Sequence, residues 1–180
     1  MAEWILPHLK DRALTLKRYP NGVDKEFFYE KRCPSFRPSW FKTAPVWSDT
    51  QNEKICFCRI NDLPSLIWVA NLADLELHTS LAHYQKPLRP TALVFDLDPG
   101  EGVDILDCAE VGLWLRHFLG EQKLECFPKT SGSKGLQIYV PLNTAVTFER
   151  TKSYARWVAE SLTGQYPEKV LFRIDRKSVV

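Results

Sequence analysis

The sequence predicts an α+β fold with an antiparallel or mixed sheet covered by helices, and three observations carry that prediction. From residue 93 onward, short apolar runs and amphipathic stretches follow in the order strand, helix, strand, strand, helix, which is most of a split βαβ unit. The 12 prolines are spread as punctuation between short elements, and no repeat or low-complexity segment appears. With 44% hydrophobic and 12% aromatic residues among 180, the chain can bury a core and is expected to form one domain.

The elements follow in order. Residues 1 to 18 mix Trp4, Ile5, Leu6, Leu9 and Leu14 with charges, as the end of a helix running into a strand at Leu14 to Lys17, so the chain is expected to begin inside an element. Tyr19 to Pro45 reads as loop and short strand, with Pro20-Asn21-Gly22 as a turn and Phe27-Phe28-Tyr29 as an aromatic cluster. Ile55 to Ile60 alternates as a strand, and Leu63 to Leu77 reads as an apolar helix. Leu93 to Asp98 is a buried strand. Asp104 to Leu119 repeats apolar residues at helical spacing, with Asp104 as N-cap. Leu124 to Lys129 and Leu136 to Leu142 are strands, Phe148 to Leu162 is a second amphipathic helix, and Val170 to Ile174 is a final strand.

Bulk charge excludes little. The net charge of +2, from 24 Lys and Arg against 22 Asp and Glu, is too small to announce nucleic-acid binding by itself. No apolar run approaches a membrane span and no signal-type segment opens the chain, so a cytoplasmic protein is expected. Five cysteines in such a chain imply reduced thiols, and Cys56-x-Cys58 lacks the further ligands that zinc needs.

Chemistry concentrates in Val94-Phe95-Asp96-Leu97-Asp98-Pro99-Gly100. Strand residues i and i+2 share a face, so Asp96 and Asp98 can grip a divalent cation from the strand's end. Two carboxylates this close repel unless a cation neutralises them, although Pro99-Gly100 would also attract Asp by turn chemistry. Thr130-Ser131-Gly132-Ser133-Lys134-Gly135 combines glycines, hydroxyls and an ammonium in the composition of a phosphate cradle, without the spacing of a P-loop; as a bare pattern it also fits a hairpin turn. Together, carboxylates for a cation and a cradle for phosphates make the two halves of a metal-nucleotide site. A haloacid-dehalogenase-type phosphatase also places two Asp after an apolar strand, but near the N-terminus and before a Thr or Val turn, neither of which holds here.

VFDLDPG, followed about thirty residues later by KTSGSKGLQIYVPL, closely resembles the polymerase domain of bacterial ligase D, in the archaeo-eukaryotic primase superfamily. Upstream, Thr15 to Asp24, Phe28-Tyr29-Glu30-Lys31 and Leu75-Glu76-Leu77-His78 resemble family landmarks in the right order. The resemblance implies a primase-polymerase fold with an RNA-recognition-like sheet. It also implies template-dependent transfer of nucleotides, preferably ribonucleotides, to DNA 3′ ends in non-homologous end joining. Asp96 and Asp98 would ligate Mn²⁺ or Mg²⁺ in a two-metal mechanism. Ser131, Ser133, Lys134 and the Gly132 and Gly135 backbone would hold a triphosphate. Lys17 and His78 would reach the same nucleotide, and Phe28 and Tyr29 would stack on base or sugar. The implied partners are DNA ends, nucleoside triphosphates, ligase and nuclease modules and the end-binding protein Ku.

Three departures from the family accompany the resemblance. Gln137 stands where the family has His, which should weaken triphosphate binding. The family's third catalytic carboxylate has only a superficial counterpart in Leu171-Phe172-Arg173-Ile174-Asp175. The family's first elements are not matched either, so residues 1–180 read as a primase-polymerase domain incomplete at both ends. An inactive chain that still binds nucleotide or DNA ends is therefore the alternative reading.

Overall fold

The computed structural model describes residues 1–171, which form two compact units, Met1–Pro87 and the residues from Leu88 onward. The final strand expected at Val170 to Ile174, and Asp175 with it, extends beyond the described residues.

In the first unit the element order is α1 (Ala2–Leu9), β1 (Arg12–Arg18), β2 (Phe28–Glu30), β3 (Thr43–Ser48), β4 (Glu53–Cys58), α2 (Leu63–Asn71) and β5 (Asp74–His83). Strand β1 is the centre of an antiparallel sheet, pairing with β5 along one edge and with β2 and β4 along the other, while β3 closes the far side of β4. Its alternation sorts the side chains. Leu14 and Leu16 are fully buried beneath α1 and α2 with Leu9, Phe41, Ile60 and Val69, while Lys17 points to the opposite face.

Two expectations are corrected here. The helix read as Leu63 to Leu77 ends at Asn71, and β5 begins at Asp74. Asp62 caps its start by accepting the Ser65 N–H at 2.9 Å, and the chain leaves through Ala73 in the left-handed region at φ 61°. Beyond that break Asp74-Leu75-Glu76-Leu77-His78 alternates with period two, and pairing with β1 takes it as strand. Strand β3 was hidden by Pro45, which the ladder tolerates because β3 lies at the sheet edge.

The cysteine expectation is also corrected. Cys33 and Cys58, expected as free thiols, form a disulfide with their Cα atoms 4.7 Å apart. Cys33, just after β2, donates its N–H to the Cys56 carbonyl at 2.8 Å, which holds it against the end of β4.

The second unit contains β6 (Ala92–Leu97), α3 (Ile105–Glu121), β7 (Phe127–Thr130), β8 (Leu136–Pro141) and α4 (Phe148–Gln165). The strand order is β6-β8-β7, with β8 antiparallel to both neighbours. β6 and β7 are therefore parallel, joined through α3, with β8 inserted between them: the split βαβ arrangement that the sequence predicts. One face of the sheet carries Leu93, Ile138 and Val140, buried against Leu115 and Leu119 of α3 and Val158 and Leu162 of α4. Helix α3 starts with a capping box, in which Asp104 accepts the Leu106 N–H at 2.7 Å and Asp107 accepts the Asp104 N–H at 3.0 Å.

Candidate functional site

The alternation that buries Leu93, Phe95 and Leu97 on the helix-covered side sends Asp96 to the opposite face. Asp98 follows two residues later, just past the end of β6, and both residues are exposed. Partial burial of the Asp96 carboxyl raises its pKa, and the neighbouring Asp98 charge adds to the rise. Hydrogen bonding from Gln137 and the charge of Lys129 pull the other way. The cause is register: Asp96 is paired with Gln137 of β8, which is paired in turn with Lys129 of β7, so the three side chains form one row across the open face. A cavity of about 270 Å³ opens beside the acid pair, lined also by Val103, Cys108, Val111 and Lys169. Lys169 is held to α3 by Glu110 at 2.5 Å.

The Ser131–Gly135 segment is the β7–β8 hairpin loop. Ser131 Oγ accepts the N–H groups of Ser133 at 3.2 Å and Gly135 at 3.1 Å, and the Ser131 N–H donates to the Gly135 carbonyl at 3.0 Å. Gly132 sits at φ +90°, a conformation that only glycine adopts without strain. The Gly135 N–H is thus spent inside the loop, unlike the phosphate-facing role that the resemblance implies. Ser131 keeps its own O–H to donate outward, and Ser133 and Lys134 are exposed. Gly135 is buried for a different reason. A Cβ at this position would overlap the Leu97 carbonyl oxygen and lie 3.1 Å from Asp98 Oδ1. The hairpin is therefore seated directly on the strand end that carries the acid pair.

The remaining candidates lie in the first unit, where register again assembles them. Lys17 is paired with Tyr29 of β2 on one side and Glu76 of β5 on the other, and His78 follows Glu76 on the same face. Lys17 Nζ bonds Glu76 Oε1 at 2.7 Å, Tyr19 also donates to Glu76, and His78 Nε2 lies 3.2 Å from Glu76 Oε2. These bonds, from Lys17 first, hold Glu76 down to about pKa 2, and Glu76 in turn raises the Lys17 pKa. Aromatic rings surround the ammonium: Phe27 at 4.1 Å, Tyr19 at 5.2 Å and Tyr29 at 5.8 Å, with Tyr29 edge-on to His78 at 5.6 Å. Phe28 is not part of this group. It points to the other face of β2, where Arg18 lies 5.2 Å from its ring.

Sequence reading missed Glu76, Tyr19, Phe27 and Lys129 as site residues. The helix wrongly extended to Leu77 concealed the alternation that aligns Glu76 with Lys17. Lys129 could be found only once the β7–β8–β6 register was known.

Arg18 anchors the back of this group. Its guanidinium donates to the Leu72 carbonyl at 3.0 Å and to Glu30 at 3.3 Å, and lies 3.7 Å from the buried Asp74. Burial pushes the Asp74 carboxyl up to about 7 against the pull of Arg18, and Glu30 adds to the rise. The folded chain thus keeps a proton that the unfolded chain releases at the ordinary value of 3.8. Stability should fall as pH rises from about 4 to about 7. Asp74→Asn removes this titration, so the variant's thermal midpoint is expected to drop less than the wild type's between about pH 5 and about pH 7.5.

The family described as "LigD, primase-polymerase domain" matches residues 1–178. The multifunctional non-homologous end joining protein LigD of Mycolicibacterium smegmatis is 38% identical over 174 residues, covering 94% of this chain and 22% of that protein. The bifunctional non-homologous end joining protein LigD of Bacillus subtilis is 33% identical over 177 residues, covering 98% of this chain and 28% of that protein. The chain thus spans only about a quarter of the length of these curated relatives. Among solved structures, the polymerase domain from Mycobacterium tuberculosis ligase D in complex with DNA superposes with a TM-score of 0.87 at 36% identity, covering 99% of this chain and 64% of that chain. By sequence and by fold, the chain belongs to the primase-polymerase domain family of LigD.

Proposed function

We propose that the chain transfers nucleotides, preferably ribonucleotides, to DNA 3′ ends in non-homologous end joining, with Mn²⁺ or Mg²⁺ held by Asp96 and Asp98. The observation that carries this reading is the seating of the Ser131–Gly135 hairpin on the strand end that presents both carboxylates. The donors fit the cation: two hard carboxylate oxygens project from one strand end, and the Asp98 charge that raises the Asp96 pKa is what a divalent ion would neutralise. When bound, the ion supplies charge neutralisation for phosphoryl transfer. The outward Ser131 hydroxyl, Ser133, Lys134 and the Gly132 backbone are assigned to the phosphates. Within the first unit, Lys17, Tyr29 and His78 are assigned to the base and sugar of a nucleotide, and Phe28, on the opposite face of β2, is left out. DNA ends and nucleoside triphosphates are the proposed partners, as is attachment to ligase and nuclease modules and to Ku.

The test is extension of a primed DNA duplex by the 180-residue chain with Mn²⁺ and either ribo- or deoxyribonucleotides. Extension is expected, faster with ribonucleotides; none would overturn the transfer reading. The second reading is a chain that binds nucleotide or DNA ends without catalysis. It is favoured by one observation: among the described residues no third carboxylate, His or Cys joins Asp96 and Asp98 in a metal-holding group. Under that reading Mn²⁺-ATP binds and the primed end is not extended.

Gln137 allows a finer test. Its side chain serves Asp96 and accepts the Tyr139 hydroxyl at 3.3 Å, and it carries no charge to offer a phosphate. Gln137→His is expected to tighten Mn²⁺-ATP binding by about 1 kcal/mol through one charge-assisted hydrogen bond. Calorimetric titration of the two proteins checks this; equal or weaker affinity in the variant would leave Gln137 serving Asp96 alone.

A further inference from the structure

The open face of the three-stranded sheet carries a second row next to that of Asp96, Gln137 and Lys129. Val94 of β6 is paired with Tyr139 of β8, and Tyr139 with Phe127 of β7, so these three side chains share the face that presents Asp96. Phe127 is 55% exposed, although the sheet's other face buries a full set of apolar residues under α3 and α4. Its neighbour in the chain direction, Lys129, is exposed, and its ammonium's recorded hydrogen bond is a 3.3 Å contact to the Thr130 carbonyl. Successive rows on one face are about 7 Å apart, two residues at about 3.4 Å each. With strands about 4.8 Å apart, Tyr139 thus lies about 8 Å and Phe127 about 12 Å from Asp96 across the sheet, and Lys129 stands between Phe127 and the hairpin loop.

We propose that Phe127, Tyr139 and Lys129 form the subsite for the terminal nucleotide of the DNA strand being extended. This rests on the transfer reading above and names what that reading leaves open, the seat of the 3′ end. The rings take the terminal base by stacking, which accepts any base because every base has a π-face. Lys129 takes the adjoining phosphate, and the sugar's 3′-hydroxyl is left facing Asp96 and Asp98. The charge pattern selects a nucleic-acid strand over an apolar protein partner: a cation and two carboxylates flank the rings, and an apolar protein partner would leave them desolvated and unpaired. Exposed aromatics on a sheet face are a known way to hold single-stranded bases.

The test uses a primed duplex with 2-aminopurine as the 3′-terminal base, the wild-type chain, Phe127→Ala and Phe127→Trp. Because Phe127 is exposed, its replacement leaves the core intact. The wild type should quench the 2-aminopurine on binding. Phe127→Ala should lose the quench and bind the duplex about tenfold more weakly, the effect of one lost stacking partner. Phe127→Trp should restore both, and Mn²⁺-ATP affinity should be the same in all three. A duplex affinity and quench unchanged in Phe127→Ala would overturn the subsite, as would a wild type that binds the duplex without quenching. A Phe127→Ala variant that retains the quench but loses self-association would assign the patch to a protein contact instead. These readouts require no turnover, so failure of the extension assay overturns the transfer reading separately.

Discussion

Alanine at either Asp96 or Asp98 is expected to abolish Mn²⁺ binding and, with it, extension of a primed DNA end. The two carboxylates lie on one strand end, and neither alone supplies more than part of a hard-cation site. Loss of one partner should reduce extension at least about a hundredfold, since even a one-ångström misplacement of reacting groups can cost that much. The two variants should differ in one respect. Asp98→Ala removes the charge that helps hold the Asp96 pKa up, so the Asp96 carboxyl should titrate lower in that variant. Calorimetric Mn²⁺ titration of wild type and variants decides the first point; equal affinities would remove the metal site from Asp96 and Asp98. Carboxyl chemical shifts followed through acid pH decide the second.

Gly135→Ala is expected to be the most damaging single-methyl change in the hairpin. The added carbon would overlap the Leu97 carbonyl oxygen and crowd Asp98 Oδ1 at 3.1 Å, and the first of these is backbone that cannot rotate away. Either β8 moves out or the acid pair moves off its line. Overpacking of this kind costs about 1 to 3 kcal/mol, and the displaced carboxylate should cost about a hundredfold in extension rate. A melt and an extension gel measure the two parts. A Gly135→Ala chain with wild-type stability and rate would show that the hairpin is not seated on the strand.

The second half of the chain was largely legible in sequence. Apolar periodicity over Leu93–Asp98 and Asp104–Leu119 located β6 and α3, and Asp104 marked the cap, because these signals are local. The acid pair was legible for the same reason: two residues apart on a strand means one face. What was not legible depends on partners distant in sequence. Glu76 beside Lys17, Lys129 in one row with Asp96 across Gln137 and the Cys33–Cys58 bond each need a register or a chain crossing that no local pattern encodes. Leu63 to Leu77 was misread because its apolar content suits both periods, and only Ala73 at φ 61° breaks the run. Phe28 and Tyr29 look like a pair in sequence. A strand sends neighbours to opposite faces, so they serve different surroundings.

The pairing of Asp96 with Gln137 also ties correct assembly to chemistry. A one-residue slip of β8 against β6 would turn Gln137 and Tyr139 into the helix layer and put Leu136 or Ile138 beside the carboxylates. The same error would strip Ile138 and Val140 from Leu115 and Val158. A mis-registered molecule would thus be greasy on its outside and inert at its centre at once. A preparation cleared of aggregation-prone material should in the same step lose its inactive fraction, so specific activity can serve as a gauge of strand register.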